Sequence, residues 1–134
     1  MHARVLVLLV VVGCGPKLPP AGPDPGPGWY VTENYYFAKR GMEEEVVKTR
    51  TEVSAAIAAL GLPAGTVLPG PGGEGPTVIW QSAPYRDVGE ATTVSKKFIA
   101  DPRFKAAYDH MSTLLRHFER RRYVIMVWQR DPAE

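Results

Sequence analysis

The chain holds one cysteine, Cys14, among 134 residues. That excludes an intrachain disulfide, so any folded domain rests on its hydrophobic core. Histidine is scarce, at three residues. His110 and His117 are seven apart, on one helix side if the helix continues, but no Cys or carboxylate joins them at ligand spacing, so no metal is expected. Neither sign of charge dominates: the formal net charge is +2. Leaving out Arg4 takes the 16 basic side chains to 15, against 14 acidic ones, which gives no electrostatic case for nucleic acid. No apolar run reaches the roughly 20 residues that span a bilayer as a helix. No Ser/His/Asp set has recognisable local context, so no hydrolase is read. Glycines cluster at 70–75, but no Lys-Ser/Thr follows and the segment leads into a strand. It therefore reads as a surface hairpin loop and not a phosphate cradle.

What is present begins at the amino end. Arg4 and the free amine precede an unbroken apolar run from Val5 to Val12. A short apolar stretch behind a positive start is the pattern of a secretory signal. The run ends Val11-Val12-Gly13-Cys14, which resembles the lipobox of bacterial lipoproteins. The resemblance implies cleavage before Cys14, a diacylglyceryl group on its thiol, and acylation, palmitate included, of the new amino terminus. One acyl chain gives only marginal anchoring at roughly 0.8 kcal/mol per CH₂, and two or more make it durable. Residues 1–13 would then be signal and 14–28 the lipidated cysteine with its linker. The protein would sit in the cell envelope, lipid-anchored and facing the periplasm, with membrane lipid as a partner. Gly15 in place of Asp favours the outer membrane, by resemblance to enterobacterial sorting. The alternatives are a chance cysteine after an ordinary signal, or a buried amino-terminal strand.

Prolines 16, 19, 20, 23, 25 and 27 alternate with small residues. They fix φ and remove donors, so this stretch reads as an extended spacer, or as a segment without order, and neither as helix nor as central strand. Residues 29–130 make the domain. Residues 29–40 are rich in β-branched and aromatic side chains of both parities and read as a strand. Residues 41–60 read as a helix, with Glu43, Glu44 and Glu45 in the first turn. Val46, Val53, Ile57 and Leu60 lie on one face, Val47 and Ala56 flank it, and Gly61 sits at the cap. Thr66-Val67-Leu68 suits a short strand and residues 77–83 another. Asp87 with Glu90 forms a capping box for a helix to about Ile99, and Asp101-Pro102 starts a second piece. Its stripe of Phe104, Ala107, Tyr108, Met111, Leu114, Leu115 and Phe118 carries the helical period onward. Arg116, Arg120, Arg121 and Arg122 then suit a helix end, or contact with anionic headgroups. Residues 121–129 read as the last strand, apolar on both faces, and 131–134 as a fraying tail.

The order is βαββαβ, which predicts an α+β, ferredoxin-like fold: a four-stranded antiparallel sheet with two helices on one face. The bare face and the doubly apolar last strand call for a cover, which a second copy would supply. From about Tyr30 to Trp128 the chain resembles the dimeric α/β-barrel superfamily, in its NIPSNAP-like and antibiotic-biosynthesis-monooxygenase-like branches. The residues that carry this are Lys39-Arg40-Gly41 running into the Glu-rich helix, Val78-Ile79-Trp80-Gln81, and Ile99-Ala100-Asp101-Pro102-Arg103-Phe104. The resemblance implies a homodimer, and is nearly silent on activity because the superfamily includes monooxygenases, haem-degrading enzymes and members of unknown role.

The haem-degrading branch uses an Asn on the first strand, a Trp near the third and a His on the second long helix. Asn34 and Trp80 stand in comparable places, but Tyr108 occupies the His position, and His110 is two residues off, about 200° round the helix. The bland reading makes Asn34 a strand-edge polar residue and Trp80 and Tyr108 core. Tyr35, Tyr36, Trp80, Tyr85, Tyr108 and Trp128 could line an apolar-ligand pocket, or simply fill a core or interface. The candidate pocket is therefore Asn34, Tyr36, Trp80, Tyr108 and Trp128, with no catalytic residue assigned. A non-enzymatic lipoprotein that binds a small apolar ligand or a protein, without a cofactor, leads. A cofactor-free or haem-using monooxygenase is the alternative.

Overall fold

The computed structural model of the chain describes residues 7–12 and 29–127. Cys14, the spacer, Trp128 and the tail lie outside the described residues. The elements are β1 (Val7–Val12), β2 (Trp29–Ala38), α1 (Glu43–Ala59), β3 (Thr66–Pro69), β4 (Val78–Gln81), α2 (Val88–Ile99), α3 (Pro102–Leu114) and β5 (Leu115–Val127). No helix among them is long and apolar enough to cross a membrane.

Local chemistry accounts for the helix starts and stops. Glu43, Glu44 and Glu45 occupy the first turn of α1, where the exposed amides favour anions. Gly61, at φ 72°, follows the last turn, and its N–H donates to the Ala58 carbonyl at 2.9 Å. Asp87 accepts from the Glu90 amide at 2.8 Å, while Glu90 reaches back to the Arg86 amide at 2.7 Å. Asp101 accepts from the Arg103 amide at 2.8 Å and pairs with its guanidinium at 2.9 Å. That guanidinium, with the two hydrogen bonds, holds the Asp101 carboxyl below the usual range.

The sheet is antiparallel throughout, in the order β1-β5-β2-β4-β3. Strands β2 to β5 alone give the ferredoxin-like order, so the α+β expectation holds. Two of its details change. The sheet has five strands and not four, because Val7–Val12 pairs with β5 from Val7 opposite Val127 to Val12 opposite Arg122. A short aliphatic run has high strand propensity and no period that separates it from a signal core. Three helices, not two, cross the sheet, since the break at Ala100 and Asp101 separates α2 from α3.

The larger correction concerns the end of α3. It stops at Leu114, and Leu115 already has extended backbone. Leu115, Arg116, His117, Phe118, Arg120, Arg121 and Arg122 all lie on β5, so the arginines cap no helix and His110 and His117 share none. Ten residues of β2, Trp29 to Ala38, pair with β5, and that ladder outweighs a helical period that lacks a stop signal.

The core lies between the sheet and α1 and α3: Tyr36, Ala38, Val46, Val78, Met111 and Leu114 form one buried cluster. On α1 the buried stripe is Val46, Thr49, Arg50, Val53 and Ile57. Leu60 and Val47 are about two-fifths exposed and lie outside it. Tyr123 and Val124, adjacent on β5, are both buried. Both faces of the sheet are covered there, as the apolar character of that strand on both parities requires.

Candidate functional site

Alternation along β2 sends Tyr30, Thr32, Asn34 and Tyr36 toward the helices and Val31, Glu33, Tyr35 and Phe37 to the other face. The register places Asn34 between Trp80 of β4 and Arg120 of β5, and Tyr36 between Val78 and Phe118. The helix α2 buries none of its residues fully, so it stands off from the sheet. The result is a cleft of about 1340 Å³ between the sheet floor and the three helices.

Four of the five expected pocket residues meet there. Asn34, Tyr36, Trp80 and Tyr108 all border the cleft; Trp128 lies outside the described residues. Asn34 belongs to a central strand and is 6% exposed, so it is not the edge residue of the bland reading. Tyr108 is not core: it is 63% exposed at the rim, its ring stacked on Phe104 at 6.4 Å. Tyr85 joins the wall, its backbone bridged to Tyr30 by two hydrogen bonds of 2.7 and 2.9 Å. Burial, then the nearby Glu90, raises its phenol above the ordinary range. Tyr35 is on the far face. It donates to Glu33 and meets the Tyr123 hydroxyl at 3.1 Å, and burial is the largest cause of its raised pKa.

Trp80 is held from two sides. Its indole N–H donates to the Ala64 carbonyl at 2.8 Å, and the Arg50 guanidinium sits 4.7 Å over the ring. Gly65, at φ 70°, makes room for both the indole and the Gln81 carbonyl. Asn34 is likewise committed: its amide donates to the Tyr36 hydroxyl at 3.4 Å and its carbonyl accepts from Arg120 Nε at 2.9 Å.

Arg50 was not singled out in the sequence. It is 5% exposed, on the helix face otherwise built of Val46, Thr49, Val53 and Ile57. Its Nη2 donates to Ser54 Oγ at 3.3 Å, and Nε has no partner among the described residues. Burial pushes its pKa down, opposed in part by Tyr36. The signal was there: position 50 continues the stripe from Val46 at a step of four, where a charge is unexpected.

The haem reading requires a ligand to iron. Tyr108 lies at the solvent rim, and His110 is tied to Glu45 at 3.2 Å on the exposed side of α3. His117 is bonded to Glu119 at 3.0 Å and tilted on the Phe37 ring at 4.9 Å. Asn34 and Trp80 are both engaged, so this set does not fit a haem site. Among the described residues no group of three or more His, Cys, Asp or Glu could hold a metal.

No protein-family profile matches the chain. No curated protein matches it either. Among solved structures the chain is similar to an uncharacterized NIPSNAP domain protein from Burkholderia xenovorans, at 19% identity and a TM-score of 0.58. The match covers 76% of this chain and 99% of that one. At that identity the likeness carries the fold alone: the ferredoxin-like α+β domain is shared with a NIPSNAP domain.

Proposed function

We propose that this chain is a binding protein of the cell envelope, anchored by lipid at Cys14, whose helix-side cleft takes a small, mostly apolar ligand. The observation that carries the binding reading is the cleft itself, which joins apolar walls from α1, α2 and α3 to a few fixed polar groups on the sheet. That combination is what small-ligand sites share. Among the described residues Asn34, Tyr36 and Arg120 are bonded in a chain, which favours a binding role over catalysis. Nile red, a neutral apolar dye, should bind the purified protein with enhanced fluorescence. Replacing Ile57, on the cleft wall, by Trp should reduce that signal several-fold. A dye that stays dark at high micromolar protein would reject the reading.

The anchor rests on the lipobox, with the outer membrane favoured. Labelled palmitate should enter the wild-type chain and not Cys14→Ser when each is produced in a bacterial host. Equal labelling of the two, or none in either, would reject the lipoprotein. We further infer a homodimer that pairs the sheet faces away from the helices. Support comes from Phe37, Tyr35 and Ile79 on that face, and a monomer at micromolar concentration on a sizing column would reject it.

The monooxygenase reading, cofactor-free or haem-using, keeps one supporting observation: Asn34, Trp80 and Tyr108 do share the cleft. It stands second because Asn34 and Trp80 are bonded elsewhere and, among the described residues, neither Tyr108 nor a histidine is set in the cleft interior as an iron ligand. Trp80→Phe that leaves any oxygenase turnover unchanged would end it.

A further inference from the structure

The balanced charge of the whole chain hides an uneven distribution. Arg50, Lys96, Lys105, Arg116, Arg120 and Arg122 border the cleft, against one acid, Asp109. Asp109 is already spoken for by Lys105, at 2.6 Å. Arg116 is turned to the β3–β4 loop, where it donates to the Gly73 and Glu74 carbonyls. Among the described residues, basic side chains thus outnumber acidic ones around the cleft.

Arg50 is the sharpest case. A guanidinium buried to this extent normally has a carboxylate beside it, because an uncompensated buried charge is costly. Here its surroundings are two aromatic rings, Trp80 at 4.7 Å and Tyr36 at 5.9 Å, and the Ser54 hydroxyl. No ion pair to it occurs among the described residues. Tyr36 then accepts from Asn34, and Asn34 accepts from Arg120. The four side chains form a polar line across the floor with a cation at each end.

We propose that the cleft takes an amphiphilic carboxylic acid, its carboxylate against Arg50 and Arg120 and its apolar body along Val53, Ile57, Phe98 and Phe104. This rests on the reading of the cleft as a small-ligand site. A guanidinium donates only in its own plane, a fork that suits the planar carboxylate, and the Trp80 ring 4.7 Å from it holds the Arg50 head in the cleft wall. The ligand supplies the counter-charge that Arg50 lacks among the described residues. The aromatic and aliphatic wall supplies the rest of the contact.

The test uses the full chain carrying Cys14→Ser, in detergent-free buffer, titrated calorimetrically with dodecanoate, 1-dodecanol and dodecyl phosphate below their micellar concentrations. Dodecanoate should bind at least about tenfold more tightly than dodecanol, the equivalent of one charge-assisted hydrogen bond. Arg50→Gln should erase that difference, weakening dodecanoate far more than dodecanol. Arg120→Gln, at an exposed position that does not endanger folding, should reduce the preference by about threefold or more. Equal binding of acid and alcohol would overturn the proposal, as would a preference that survives both substitutions. Tighter binding of the phosphate than of the carboxylate would overturn the choice of head group. If Nile red binds and dodecanoate does not, the acid fails while the apolar site stands; if neither binds, both fail.

Discussion

Gly65→Ala should lower the stability of the domain by about 2–5 kcal/mol, while Gly61→Ala, also at a left-handed position, should cost only about 1–2. The two glycines have φ of 70° and 72°, so the backbone strain introduced by a side chain is nearly the same. They differ in what surrounds them. A Cβ at Gly61 meets nothing within 4 Å. At Gly65 it would stand 2.4 Å from the Gln81 carbonyl oxygen and 2.7 Å from the indole nitrogen of Trp80. The carbonyl belongs to β4 and cannot retreat without parting β3 from it, and the indole is fixed by Ala64. Urea unfolding of the two variants isolates the contact from the strain. Equal losses would mean that the neighbours give way. Gly65→Ala should also weaken ligand binding, because the displaced Trp80 supports Arg50.

The second large effect is expected at Ile57. It is 2% exposed and fills the space between α1 and the cleft, so Ile57→Ala should cost about 2–5 kcal/mol through lost burial and the cavity left behind. Leu60 is 39% exposed, and Leu60→Ala should cost about 1 kcal/mol or less. The denaturation midpoint should fall for the first with an unchanged slope and stay close to wild type for the second. Similar losses for both would place Leu60 back in the core.

That pair also marks where the sequence could be read and where it could not. Helix starts were legible because their causes are local: the acidic turn at Glu43, the Asp87 and Glu90 box, the Asp101-Pro102 restart. The loop between β3 and β4 was legible for the same reason, since nothing but a turn suits Gly70 to Pro76. The end of α3 was not. Leu114, Leu115 and Phe118 continue its period, and what stops it is the ladder to β2, a partner far away in sequence. Leu60 was misplaced because the stripe on α1 turns through Thr49 and Arg50, which a search for apolar residues passes over. The same omission hid the cleft's most informative side chain. Asn34 and Trp80 entered through a resemblance and were found together, but bonded to other residues in ways that only neighbours across the sheet could reveal. The aliphatic run before Cys14 kept two readings because its period suits both; residues 7–12 pair with β5 in the structure.

The pairing of β2 with β5 has a consequence for how the protein is made. It joins the first and last strands of the domain, over ten positions at the centre of the sheet. Contacts so distant along the chain cannot form until the carboxyl-terminal strand has been synthesised, and they make folding slow. Until then the chain can hold its helices but not the centre of its sheet, so folding is timed by the completion of synthesis.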